Sequence, residues 1–273
     1  MGHTRLGKIP TTRKWKAVVS LVSTGSSTGS SATLGSPNLV SQNIDAIASQ
    51  TLDAAQGGLD AAINDLGLRY TFFLLTQIAL AARSDNWKQQ LADLGLELSD
   101  NSTLYDLTTE LQSSVDDFLF RNKHNSDISE MAQKAAGEAI SVLASPKSTS
   151  MFGNGLDQVQ IAIKDLSTKK GFSTLGQKFF GLFMSHFLNF YLSRVTATNI
   201  NSRTVQQVGE ISRFNEALRT HCEQSARVVH DFCGEWYSKT EYQKGIDLDN
   251  TSGFVAIAVK KLQAELRQQE SAA

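Results

Sequence analysis

Proline is scarce in this chain, and the shortage excludes more than any motif does. Only Pro10, Pro37 and Pro146 occur in 273 residues, and Pro146 alone interrupts the stretch from Asn38 to Ala273. Proline costs about 3 kcal/mol inside a helix, so its scarcity over such a length fits long helices. Period-two alternation of β-branched residues is missing too, so no sheet is expected. Two cysteines, Cys222 and Cys233, are too few for a disulfide framework. A reducing, cytoplasmic setting is the expected one. No apolar run reaches the ~20 residues of a bilayer span. The uncharged stretches that are mainly apolar, 70–82 and 179–193, fall short, so no stable membrane span is expected. After the basic start comes only Ala17 to Val22, too short for a secretory h-region. Leu6 stands where a myristoylation pattern needs Ser or Thr. The first 44 residues lack acids entirely and hold Arg5, Lys8, Arg13, Lys14 and Lys16. That is +5, leaving −6 for the remainder of a chain whose net charge is −1. An acid-free, Ser-rich start also has transit-peptide composition, a secondary expectation.

What is present is organised around 174–196, TLGQKFFGLFMSHFLNFYLSRVT. Phe179, Phe180, Leu182, Phe183, Met184, Phe187, Leu188, Phe190, Tyr191 and Leu192 cover most of a helix circumference, which belongs in a protein interior. One narrow stripe differs: Gln177, Gly181, Ser185, Asn189 and Ser193 recur every fourth residue. Spacing of four places them on one helix face, where small groups admit a neighbouring backbone. His186, amid phenylalanines, reads as a satisfied core histidine.

The expected fold is all-α: an irregular bundle of about eight helices around a central hydrophobic helix at 174–196, with a tethered basic N-terminal arm. The arm is 1–22, a Ser/Gly/Thr linker of flexible-coil composition is 23–36, and a single helical domain is 37–273. The internal boundary is 146–154. Within the arm, 12–21 forms a short helix with Trp15, Val18, Val19 and Val22 on one side. Too short to hold alone, it needs a docking surface on this chain or on a partner. Further helices are expected at 38–56, closed near Gly57-Gly58, at 69–83, at 86–94, and from a Ser102 or Thr103 cap to Arg121. Asp127 and Glu130 have capping-box spacing for a helix ending near Pro146. Residues 156–166 are amphipathic, with Val159, Ile161, Ile163 and Leu166 inward. The main helix starts at Thr174, a long helix runs from Ser202 to Ser238, Asp247 to Gly253 turns, and 254–269 closes the chain.

Chemistry is sparse. Gly171-Phe-Ser-Thr-Leu-Gly176-Gln177-Lys178 has the two glycines of a phosphate loop but puts Gln177 at the lysine position, and no strand precedes it. It reads as a helix N-terminus. His221, Cys222, His230 and Cys233 are zinc-ligand types. On one continuous helix, however, the two cysteines would lie ~16 Å apart. Buried thiols are the reading. None of the five histidines has Glu three residues before it, which excludes the di-iron Glu-x-x-His pattern. Asp116-Asp117 reads as a solvated helix face. No catalytic residue, metal, cofactor or small-molecule ligand is assigned.

The arm carries the functional reading. Arg5, Lys8, Arg13, Lys14, Trp15, Lys16, Val18 and Val19 are the expected partner-binding residues. Cations around an aromatic suit phosphate contact with base stacking, but equally an acidic protein groove anchored by Trp15. The apolar valines favour protein. A non-enzymatic accessory subunit of a larger assembly is therefore expected, with protein partners in a hetero-complex. Nucleic-acid association through the arm and a membrane-active helical protein are the alternatives. A bacterial, antiphage-defence setting is expected without any residue to carry it.

Overall fold

The computed structural model describes residues 6, 12–24, 38–148, 155–198 and 208–272. Arg5 and Lys8, residues 25–36 of the expected linker (whose first two residues, Ser23 and Thr24, belong to a helix), residues 149–154 of the expected boundary and the expected Ser202 cap lie outside them. Helices are the only regular elements among the described residues, and there is no strand. They form twelve helices where about eight were expected.

The arm helix α1 (Arg13–Thr24) opens on Thr12, whose Oγ1 accepts from the Trp15 amide at 3.2 Å. Its apolar stripe is turned inward. Trp15 is 5% exposed, and Val18 and Val22 are buried with it. α1 packs on α2 (Asn38–Ala54), and the Trp15 ring meets Tyr191 edge-on at 6.2 Å. Leu6 makes a second anchor. Its N–H donates to Asp127 Oδ2 at 2.8 Å, and it packs against the core. α1 and Leu6 thus lie against the body.

After α2 the chain does not stop at its glycine pair. α3 (Gln56–Asn64) runs through Gly57 and Gly58, and Asp65 then caps α4 (Leu66–Ala81), accepting from the Leu68 amide at 2.8 Å. α5 (Trp87–Asp93) is short. α6 (Leu104–Arg121) carries a full capping box between Thr103 and Asp106. α7 (Asp127–Ser148) is capped one residue earlier than the acid spacing implied: the Ser126 and Ser129 hydroxyls take each other's amides at 3.0 and 3.1 Å. That reciprocal exchange does the work of a capping box with shorter side chains.

α8 (Leu156–Leu166) has the expected bounds, but Ile161 points to solvent, 55% exposed, because it falls opposite the Leu156, Val159, Ile163 stripe. α9 (Lys169–Thr198) starts five residues before Thr174. Thr168 is the cap, its Oγ1 accepting from the Gly171 amide at 2.9 Å, whereas Thr174 bonds back to the Lys170 carbonyl inside the helix. A Cβ at Gly171 would sit 2.0 Å from the Asp165 carbonyl oxygen, so only glycine fits this tight junction. The single long helix expected up to Ser238 is two, α10 (Val208–Ser225) and α11 (Arg227–Gln243), broken at Ala226. Finally, α12 (Leu248–Ala272) begins where a turn was expected. The Asp247 carboxylate accepts from the Asn250 amide at 2.8 Å, and the helix continues through Gly253.

α9 packs against α7, α10 and α11 and touches α1, α2, α8 and α12. Its uncharged residues Phe179, Phe180, Phe183, Met184, Phe187 and Leu188 are fully buried. Burying each such side chain contributes about 1.5–3 kcal/mol. Phe72 of α4 gathers Phe172, Phe179, Phe180, Trp236 and Phe254 around it at 5.0–6.2 Å between ring centres. The small-residue stripe admits a backbone at Gly181, where an added Cβ would lie 2.8 Å from Glu223 Cα. Beside it, Gln177 Nε2 donates to the Glu223 carbonyl at 3.1 Å.

Candidate functional site

Two features stand out on the surface. The first is the outer face of α1. Because Trp15, Val18 and Val22 face inward, the intervening Arg13, Lys14 and Lys16 are exposed together. Lys14 Nζ is 3.6 Å from Asp53 Oδ2, and the other oxygen of that carboxylate takes Arg267 at 2.8 Å. Val19 is half-buried at the edge. Of the expected partner-binding residues, Trp15 and Val18 are therefore spent inside this chain. Neither can anchor a partner while α1 is docked.

The second is a groove of about 590 Å³ where α6 meets α7, lined by Asp116, Asp117, Phe120, Lys123, His124, Glu130 and Lys134 among others. α6 ends there in a reciprocal pair of backbone bonds: the His124 N–H donates to the Leu119 carbonyl at 2.9 Å and the Lys123 N–H to the Phe120 carbonyl at 3.1 Å. This helix stop needs one left-handed residue, normally glycine. Here it is Lys123, at φ 52°, a conformation costing about 1 kcal/mol for a residue with a Cβ. The turn delivers His124 to Asp65. Nε2 lies 2.8 Å from Asp65 Oδ2, which also accepts from the Ser126 hydroxyl at 2.6 Å. Asp65 is only 4% exposed. Its carboxylate thus serves as the cap of α4, the orienter of the imidazole and the acceptor for Ser126.

Serine, histidine and aspartate meet here, but in the wrong order for nucleophilic catalysis. A triad needs the imidazole between the hydroxyl and the carboxylate. In this cluster the carboxylate is in the middle, so the Ser126 hydroxyl donates its hydrogen bond to Asp65 and no imidazole reaches it. The cluster ties α4 to the start of α7 and leaves the other edge of His124 to the groove. Sequence reading missed it because Asp65 and His124 are 59 positions apart. The visible signal was local: an aspartate immediately before an apolar run, as at a helix start. Asp116, read as part of a solvated face, accepts from Gln133 Nε2 at 2.8 Å across the groove.

Other residues singled out from the sequence lie elsewhere. Cys222 and Cys233 are free and fully buried, and burial pushes both thiols far above their ordinary pKa. Among the described residues no His, Cys, Asp and Glu group has metal-binding geometry. His221 Nδ1 meets Asp45 at 3.0 Å while its buried Nε2 has no hydrogen bond, and His230 is near Asp231. The glycine-rich stretch at 171–178 is the start of α9, its Gly171 amide already taken by Thr168. His186 lies 3.3 Å from Glu138. It ends a row of alternating charge in which Glu138, Arg219, Glu223 and Lys178 connect α7, α10 and α9 at 2.7–3.5 Å.

No helix among the described residues is long and apolar enough to cross a membrane. No family model, curated protein or solved structure matches the chain.

Proposed function

We propose that this chain is a non-enzymatic interaction subunit that docks a protein partner through the outward face of α1. The supporting observation is the direction of that helix. Its apolar stripe holds it to the body, so Arg13, Lys14 and Lys16 are presented on a folded, oriented surface. A fixed patch of one sign steers an acidic partner and sets the docking register more than it supplies raw affinity. Arg5 and Lys8 extend the same charge in sequence. In this reading α9 is the axis of the bundle and the arm its outermost layer. Nucleic-acid association is the weaker reading, because base stacking would need Trp15, which is buried.

The test is a pull-down from the source cell with the full chain and with Arg13, Lys14 and Lys16 changed to Glu. A protein captured by the native chain, released by moderate salt and lost with the variant supports the proposal. Equal capture by both chains refutes it. Retention on DNA or RNA that weakens steeply with salt moves the assignment to nucleic acid.

A further inference from the structure

The inward face of α1 has a consequence that is independent of what its outward face binds. α1 is twelve residues long, and isolated helices of that length are marginal in water. It is helical because a groove receives it. Trp15, Val18 and Val22, at i, i+3 and i+7, enter between α2 and the Tyr191 end of α9. Lys14 meets Asp53 at the rim. Each of these four residues makes its contact through its side chain.

The only covalent link between α1 and α2 is 25–37, GSSTGSSATLGSP. Thirteen residues reach up to about 45 Å when extended. Every contact that seats α1 is the same whether the helix comes from its own chain or from another copy. The own-chain arm has only the advantage of its tether, worth an effective concentration of order 1 mM for a short link of this Ser/Gly-rich composition.

We propose that the groove between α2 and the C-terminal part of α9 is an exchangeable helix-docking site, and that a second copy of this chain supplies the alternative occupant, its own α1. Copies crowded in an assembly would then be cross-strapped by their arms.

The Lys14–Asp53 pair provides the readout. A water-soluble carbodiimide activates the Asp53 carboxylate and the Lys14 amine displaces the urea, leaving an amide link of zero length. Full-length chain of natural isotope content is mixed equally with full-length ¹⁵N chain, equilibrated, linked and digested. Own-chain docking gives linked peptides of one isotope, and exchange gives mixed pairs. At about 1 mM protein, half the grooves hold a foreign arm, so roughly a quarter of linked pairs are mixed, and the share falls with dilution. Trp15→Ala, which removes the buried anchor, abolishes both kinds of link. The proposal is overturned if linked pairs stay single-isotope up to about 1 mM. It is overturned equally if the mixed share ignores concentration, if Trp15→Ala leaves the mixed pairs in place, or if Lys14 and Asp53 do not link at all.

Discussion

Replacing Gly181 by alanine tests how α9 and α10 are held together. In an ordinary helix interior Gly→Ala stabilises by about 0.5–1 kcal/mol, because glycine loses more backbone freedom on folding. At Gly181 the new methyl would lie 2.8 Å from Glu223 Cα, 3.1 Å from its Cγ and 3.3 Å from the Cys222 carbonyl oxygen. The nearest of these is backbone, so no side-chain rotation relieves the clash. The two helices must separate by roughly half an ångström or more, and overpacking of this kind costs about 1–3 kcal/mol. The separation also stretches the Gln177 bond to the Glu223 carbonyl and the Lys178 bonds to its carboxylate. Losing part of those adds about 1 kcal/mol. Set against the propensity gain, the net effect is a destabilisation of about 1–3.5 kcal/mol. Gly253 is the internal control: it is exposed within α12, and a Cβ there meets nothing within 4 Å. Gly253→Ala stabilises by about 0.5–1 kcal/mol. Urea unfolding followed by far-UV circular dichroism measures both. With a slope of about 3 kcal/mol/M, Gly181→Ala lowers the midpoint by roughly 0.3–1.2 M and Gly253→Ala raises it. If both variants raise the midpoint, the close approach of α9 and α10 is wrong.

Three further outcomes are expected. Asp65→Ala removes the cap of α4 and leaves the Ser126 hydroxyl and His124 without their shared acceptor; it lowers stability by about 2–3 kcal/mol, whereas an unchanged urea midpoint would show that the cluster is ornamental. Stability falls in two steps on acidification. Burial lowers the pKa of His221 from its ordinary 6.5 despite Asp45, and Glu138 lies below its ordinary 4.5 chiefly through His186, aided by Arg219. Both groups bind protons more readily when unfolded, so stability is complete above pH 6.5 for His221 and 4.5 for Glu138, and declines below each value. Urea midpoints measured from neutral pH downward should show both declines, and His221→Gln should remove the upper one; a midpoint that rises between pH 7 and 5.5 contradicts this account. Lastly, neither buried thiol should react with a disulfide reagent near about pH 8 in the native state, and both should react in concentrated guanidinium; rapid native labelling of either would place a cysteine at the surface.

The sequence was most readable where one physical demand dominated. The apolar circumference of 179–192 is a burial signal that no loop competes with, and the stripe through Gly181 correctly marked where a backbone approaches. The Trp15, Val18, Val22 stripe also identified a docking face, but periodicity does not say whose surface is met. Helix ends were harder. Thr174 and Thr168 are both plausible caps, and the choice depends on Gly171 fitting against Asp165, a contact made only after folding. The break at Ala226 has neither proline nor glycine to announce it. The end expected near Gly57-Gly58 falls slightly earlier, since α2 stops at Ala54 and the pair lies in α3, where glycine at 58 makes room for Tyr191. The Asp65–His124 pair was invisible because topology alone joins residues so distant in sequence.

The five rings around Phe72 bind the fates of four helices. Removing any one ring leaves a hole that the others share, so paired truncations at Phe72, Trp236 and Phe254 will not add up like independent losses. Over evolutionary drift this cluster should behave as a single character: a chain that shrinks one member persists by enlarging another, and it changes by compensated swaps or not at all.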